Sequence, residues 1–305
     1  MRNTFFPKEF VEKYSNLLGS EWDEFFKTIQ TKQPKSFWVN TNKSTVNEAL
    51  ESLRKKNISF KWLKFHEQSY SIDFATPGQL EEYRNGLISI QEKAAMMPVV
   101  VLNPTKDDYV LDACSAPGMK TIQLSNLAGK VFATELNTKR FEILQKTIER
   151  FDLKNVEAKR IDFRNLKRNK RFDKILLDVV CSSEGLVRKK REALVDWSQN
   201  LVKRKAHDQK HMLVRAFDYL KDGGEMVYST CSFAPEENEE VINYFLTRRT
   251  NATIEQIKLE GVKIRENKLC KNCVRLYPQD NDTQQFFIAK IKKHKSTTPQ
   301  PKEKD

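Results

Sequence analysis

Downstream of residue 105, apolar positions fall into short runs separated by amphipathic stretches. Runs rich in β-branched and aromatic residues predict strands at YVLDAC (109–114), KVFATEL (130–136), VEAKRI (156–161), FDKILLDVV (172–180) and EMVYSTC (225–231). Between them, apolar residues at helical spacing predict helices over 121–127, 138–150 and roughly 197–220, with KDGG at 221–224 as the stop of the last. CVRLYPQ (273–279) and QFFIAKIKK (285–293) read as two further strands. This alternation predicts an α/β fold with a doubly wound parallel sheet that holds its ligands at the strand carboxyl ends. The N-terminal pattern differs. Two short helices occupy 7–30, with Ser20 as a cap, followed by a strand, SFWVNT (36–41). A helix over 44–57 follows, with Ser44 as its cap and Leu50 and Leu53 facing inward, then a strand over 58–65. The turn at Arg84-Asn85-Gly86 and a helix EKAAMMPVVVL lead into the second unit. The expected organisation is a small α+β accessory domain over 1–91, a catalytic domain over 92–293, and a disordered tail over 294–305 that lacks apolar residues.

Charge narrows the partners. The 305-residue chain carries a formal net charge of +13, which favours a polyanion. The longest apolar run, Met96–Leu102, is too short to cross a bilayer and contains Pro98. With no apolar signal core near the start, the expectation is a cytoplasmic protein without a membrane partner. Five widely spaced cysteines do not make a secreted disulfide framework. Cys270 and Cys273 form one CxxC with no second pair or nearby histidine, so they read as ordinary thiols and no metal is expected.

The chemistry concentrates at the predicted strand ends. After VLDAC comes Ser115-Ala116-Pro117-Gly118-Met119-Lys120-Thr121, a loop of small residues opening a helix. It matches neither GxGxxG nor a Walker A loop, so it suits a nucleoside with a charged, non-phosphate tail. Glu135 ends the second strand, where a carboxylate can accept ribose hydroxyls. Asp162 ends the third, within reach of an exocyclic amine. Cys181 and Cys231 end the fourth and fifth. A thiolate added to C6 of a cytosine makes C5 nucleophilic enough to accept a methyl group. Asp178, three residues before Cys181, is the candidate to hydrogen-bond near N3. Cys114 reads as packing.

These residues carry a resemblance. DACSAPGMKT, FDKILLDVVCSSEG and YSTCSFAPEENEEVI, in that order, resemble the cofactor loop and the two cysteine motifs of the Nol1/Nop2/Sun RNA cytosine-5 methyltransferases. The likeness runs from about Ser36 to Lys293. It implies a Rossmann-type S-adenosylmethionine-dependent methyltransferase sheet, with Cys231 as the nucleophile, Cys181 assisting product release and Asp178 contacting the base. Ala116, Pro117, Gly118 and Lys120 would line the cofactor, with Glu135 on the ribose, Asp162 near the adenine and Arg140 joining the pocket. Two positions depart from the family pattern: Val180 replaces the proline before the first cysteine, and Trp38 stands where many members carry arginine.

The implied partner is RNA, transfer RNA favoured and ribosomal RNA the alternative, bound by a monomer. A non-catalytic RNA-binding or ribosome-assembly protein is the rival reading. Basic residues recur at Arg160, Arg164, Lys167, Arg168, Lys170 and Arg171. A second cluster, Arg188, Lys189, Lys190 and Arg191, is expected at the mouth of the cysteine site for RNA contact. Phe37 and Trp38 could stack on bases or fill the accessory core.

Overall fold

The computed structural model describes residues 6–295; most of the predicted tail lies outside them. The N-terminal part begins with helices α1 (Lys8–Leu18) and α2 (Trp22–Ile29). Strands β1 (Lys35–Val39), β2 (Ser59–Trp62), β3 (Ser69–Asp73) and β4 (Ile88–Ile90) form an antiparallel sheet in the order β2-β3-β1-β4. The pattern had shown a single β-α-β passage. The SYSID and ISI strands escaped it because each is short and half polar.

Helix α3 (Val46–Lys55) packs Leu50 and Leu53 onto this sheet against Phe37, Ile72 and Ile88. Its cap is Thr45, not Ser44: Thr45 and Glu48 close a capping box that satisfies two otherwise orphaned N–H groups. Ser20 caps nothing either, because a short 3₁₀ turn over Gly19–Glu21 runs straight into α2. After a single helical turn, α4 (Glu81–Arg84), helix α5 (Lys93–Leu102) starts from Glu92, whose carboxylate accepts from Ala94 and Ala95 N–H.

The larger sheet contains β5 (Tyr109–Asp112), β6 (Lys130–Glu135), β7 (Val156–Arg160), β8 (Phe172–Asp178) and β9 (Leu220–Thr230). It also contains β10 (Ala252–Glu255), β11 (Val274–Leu276) and β12 (Phe286–Lys293). The order is β10-β12-β9-β8-β5-β6-β7, with β11 on β12. Pairs among β5 to β9 are parallel, but every pair involving β12 is antiparallel. The sheet is therefore mixed, not parallel throughout, because β12 runs back between β9 and β10, against both.

Helices α6 (Met119–Leu127), α7 (Thr138–Phe151), α8 (Gln199–Tyr219) and α9 (Glu239–Arg248) cover it. Helix α8 ends at Tyr219, just ahead of KDGG as expected, and KDGG itself lies inside β9, which begins at Leu220 and shifts register against β8. YPQ leaves the predicted strand for a short helix, α10 (Pro278–Asn281), with Pro278 at its first position. Cys270 and Cys273 are joined as a disulfide rather than free, because a turn closed by Cys273 N–H to the Cys270 carbonyl brings their Cα atoms to 5.5 Å. From β5 the chain goes to β6 and β7 on one side and later to β8 and β9 on the other. The crevice for ligands therefore opens at the carboxyl end of β5.

Candidate active site

The loop after β5 is held from three sides. Ser115 donates to the Thr134 carbonyl through both its N–H (3.0 Å) and its hydroxyl (2.9 Å). Thr147 Oγ1 donates to the Pro117 carbonyl at 2.9 Å, and Arg140 Nη2 donates to the Ala116 carbonyl. Gly118, at φ +107°, starts α6; a Cβ there would strain the backbone and meet Thr147 Cγ2 at 2.8 Å.

Arg140 also faces Glu135, with Nη1 3.4 Å from Oε2, while Glu135 Oε1 accepts from Asn137 N–H. Asp162 caps a short 3₁₀ turn and is gripped by the Arg164 guanidinium, with contacts of 2.6 and 3.0 Å to Oδ2. Burial pushes the Asp162 carboxyl up, and Arg164 more than offsets this, so it titrates below its usual range. Glu135, Asp162, Cys114 and Val180 line one cavity of about 160 Å³. A smaller one of about 50 Å³ is lined by Cys114, Ala116, Pro117, Lys120 and Asp178. Cys114 borders both.

Asp112, the last residue of β5, is a member of this site that the sequence pattern assigned only to a strand. It is fully buried, and burial raises its carboxyl to about 7 despite a 2.7 Å hydrogen bond from Thr121 Oγ1 and the charge of Lys120. Its position at the head of DACSAPGMKT, three residues before Ser115, was the available signal.

Lys120 Nζ lies 2.7 Å from Asp178 Oδ2, and Ser229 Oγ donates to Asp178 Oδ1 at 2.7 Å. Both oxygens of Asp178 thus have a fixed direction. Beyond it, Cys181 Sγ and Cys231 Sγ are 3.1 Å apart. Cys181 is buried and Cys231 is partly exposed. The hydrogen bond to Cys231, followed by burial, pushes the Cys181 thiol well above its ordinary value.

Parallel pairing of β8 with β9 puts both strand ends side by side, and Gly185 locks the following loops together. Its N–H donates to the Cys231 carbonyl at 2.7 Å, and a Cβ there would lie 2.5 Å from that same oxygen and 2.7 Å from the Gln285 carbonyl. Behind the thiols sit two fully buried carboxyl groups. Glu237 accepts from Ser182 N–H, Gln209 and Ser232; Glu184 accepts from Tyr14, Trp197, Ser232 and Phe233 N–H. Burial raises Glu184 above its usual range. Sequence reasoning missed Gly185, Glu184 and Glu237, although all three lie within the quoted cysteine motifs.

Two expectations about nucleic-acid contact change. Arg188 is not a surface cation: its guanidinium is buried and bonds Asp282 (2.8 Å), the Thr283 carbonyl (2.9 Å) and Thr31 (3.0 Å), leaving Lys189, Lys190 and Arg191 exposed. Phe37 and Trp38 are core residues. Trp38 is fully buried, donates to Asn126 Oδ1 at 2.9 Å and stacks on His66. Among the described residues, no helix is long and apolar enough to cross a membrane.

Comparison with known proteins matches this architecture along both parts. Residues 99–292 match the family of 16S rRNA methyltransferase RsmB/F, and residues 6–93 match the N-terminal domain of 16S rRNA methyltransferase RsmF. The tRNA (cytosine(49)-C(5))-methyltransferase of Pyrococcus abyssi is 35% identical, over 94% of this chain and 96% of that protein. The ribosomal RNA small subunit methyltransferase F of Vibrio parahaemolyticus is 33% identical over 99% of this chain, which spans 66% of its length. A solved methyltransferase homologue from Pyrococcus horikoshii superposes with a TM-score of 0.83 at 28% identity, over 96% of this chain and 100% of that one. The chain therefore belongs to the RsmB/F family of methyltransferases, the Nol1/Nop2/Sun group that its two cysteine motifs resemble.

Proposed function

We propose that this protein transfers a methyl group from S-adenosylmethionine to C5 of a cytosine in RNA, and that its substrate is transfer RNA. The observation that carries the reading is the pair of facing thiols, 3.1 Å apart beside the Lys120–Asp178 ion pair. Simple N- or O-methylation needs no such pair. The transfer RNA preference is supported by the Pyrococcus abyssi relative, which this chain matches along nearly its whole length. The protein is read as a cytoplasmic monomer.

The residues fit the cofactor. Glu135 and Asp162 place carboxylates on one cavity wall, for ribose hydroxyls and an adenine amine. In the adjoining cavity Ala116, Pro117 and Gly118 let backbone approach a ligand, while Lys120 and Asp178 supply charges opposite to those of an amino-acid tail. Arg140 secures that wall through Glu135 and the Ala116 carbonyl. When bound, S-adenosylmethionine supplies an electrophilic methyl group on a sulfonium.

Cys231, the more exposed thiol, is the nucleophile that adds to C6 of the flipped base. Asp178, oriented by Lys120 and Ser229, accepts from the exocyclic amine of the base beside N3, and the Lys120 ammonium held against it offsets the negative charge that develops on the ring. Cys181 stays protonated because burial and its neighbour disfavour the thiolate, so it does not compete as nucleophile. After methylation the C6–S bond breaks as C5 loses its proton: Cys181 passes its own proton to the departing Cys231 sulfur across 3.1 Å, and the Cys181 thiolate so formed takes up the C5 proton, which restores both thiols.

The test uses methyl-labelled S-adenosylmethionine with unmodified transfer and ribosomal RNA transcripts. Wild type should form 5-methylcytosine in transfer RNA, Cys231→Ala should form none, and Cys181→Ala should accumulate a denaturation-resistant protein–RNA adduct. Full activity of Cys231→Ala would overturn the assigned nucleophile. Label entering only ribosomal RNA would overturn the substrate.

A further inference from the structure

Each thiol is followed by a serine: Cys181 by Ser182, and Cys231 by Ser232. Both serines are buried, and they meet as the sulfurs do one residue earlier, with the Oγ atoms 3.1 Å apart. A sulfur makes only weak hydrogen bonds, so neither thiol can hold this spacing by itself. The spacing has to come from the backbone on either side of each cysteine.

One carboxyl group grips both loops. Glu237 sits on a short 3₁₀ turn, Pro235–Glu237, and is fully buried. Its Oε1 accepts from Ser182 Oγ and, at 2.7 Å, from Ser232 Oγ. Its Oε2 accepts from Ser182 N–H at 3.0 Å and from Gln209 Nε2 at 2.8 Å. Gln209 Nε2, on α8, also donates to the Val180 carbonyl at 3.2 Å, so the residues before and after Cys181 are tied to one acid–amide pair. Cys231 is bracketed in the same way. Asn238, next in sequence to Glu237, accepts from Thr230 Oγ1 at 2.6 Å and donates to the Ser232 carbonyl at 3.0 Å. The Tyr228 hydroxyl holds the turn itself through the Glu237 carbonyl at 2.6 Å.

A buried carboxyl group is costly unless its lone pairs are filled, and four donors converge on this one. A network satisfied to that degree fixes geometry rather than merely tolerating it. The position also demands reach. The side chain must touch the loop after β8 and the loop after β9 at once, and aspartate is one methylene too short to do so.

We infer that Glu237 is a positioning residue for methyl transfer: by clamping Ser182 to Ser232 it keeps Cys181 within proton-transfer distance of Cys231. The catalytic part of this inference rests on the RNA-methyltransferase reading above. Cys231 forms the adduct with the base, and only its release requires Cys181 close by. Loosening the clamp therefore slows release more than addition.

The test compares wild type with Glu237→Asp, Glu237→Gln and Ser182→Ala in the full chain. Without RNA, diamide takes two hydrogens from facing thiols to leave a disulfide, and peptide mapping follows the rate at which Cys181 and Cys231 join. With an unmodified transfer RNA transcript, methyl transfer gives kcat, both KM values and the fraction held as denaturation-resistant adduct. Glu237→Asp and Ser182→Ala should form the disulfide about 10-fold more slowly and lower kcat by a similar factor. Adduct should accumulate in both, with the KM values unchanged. Glu237→Gln keeps the reach, and the serine hydroxyls can turn to accept from it, so it should recover most of the loss. A fall in stability by itself would lower product and adduct together, so accumulation of adduct separates positioning from loss of fold. Should Glu237→Asp lack a cooperative urea transition, Ser182→Ala carries the test, because it trims one hydroxyl and leaves the backbone bond to Glu237. Wild-type disulfide rates and no added adduct in the folded variants overturn the clamp and leave the function intact. Disulfide rates that depend on Glu237, in a protein whose wild type methylates no RNA, overturn the functional reading and leave the clamp.

Discussion

Gly185→Ala isolates the geometry that sets the two thiols face to face. The added methyl would stand 2.5 Å from the Cys231 carbonyl oxygen and 2.7 Å from that of Gln285. Both obstacles are backbone, so no side-chain rotation clears them. Reaching ordinary van der Waals contact requires the Cys231 backbone or the Gly185 loop to retreat by about 1 Å. Overpacking of this kind costs about 1–3 kcal/mol. Weakening the 2.7 Å bond from Gly185 N–H to the Cys231 carbonyl adds about 1 kcal/mol. The expected loss is about 2–4 kcal/mol of stability. A displacement of about 1 Å at a nucleophile can cost about 100-fold in rate, so single-turnover methyl transfer should slow by that order. The cofactor walls do not involve Gly185, so affinity for S-adenosylmethionine should hold. Urea unfolding, single-turnover methylation and cofactor titration measure the three quantities. An alanine variant with wild-type urea midpoint and wild-type rate would refute the argument that this contact sets the position of Cys231.

Three further outcomes are expected. Asp112 is raised by burial from 3.8 to about 7, so its folded form binds a proton that the unfolded chain releases, and stability should fall as pH rises from about 4 to about 7. At about 1.4 kcal/mol per unit this amounts to about 4 kcal/mol; Asp112→Asn should flatten that part of the urea stability profile, and an unchanged slope would count against the assignment. Trp38→Phe should cost about 1–3 kcal/mol by leaving Asn126 Oδ1 without its indole donor, while the RNA KM stays unchanged; a selective rise in KM would return Trp38 to the RNA surface. Hydrogen peroxide should convert one of the facing thiols to a sulfenic acid, which the other displaces with release of water to give a Cys181–Cys231 disulfide. Peptide mass mapping should show the loss of two hydrogens, a thiol reductant should restore activity, and Cys181→Ala should form no such bond.

What was legible in the chain and what was not divides along contact distance. The strand positions of Glu135, Asp178, Cys181 and Cys231 followed from local apolar runs, because a parallel strand declares itself by its own buried residues. Adjacency of the two thiols then needed only neighbouring strands β8 and β9, which topology supplies. Arg188 was misread for the opposite reason. A basic run looks solvated until the partners are known, and those partners, Thr31, Asp282 and Thr283, lie about 90 to 160 residues away in the sequence. Trp38 was left open because its donor bond to Asn126 runs from the small sheet to helix α6, 88 residues on in the sequence. Gly185 carries no pattern at all: only the approach of two distant carbonyls makes a glycine necessary there. The mixed character of the sheet was hidden because strand periodicity is the same in either direction, and the return of β12 against β9 shows only in the register of the pair. The local code thus places Cys181 and Cys231 just past two strand ends, while long-range packing sets their sulfurs 3.1 Å apart. The test of that division is Gly185, a residue without a side chain on which the position of Cys231, the proposed nucleophile, depends.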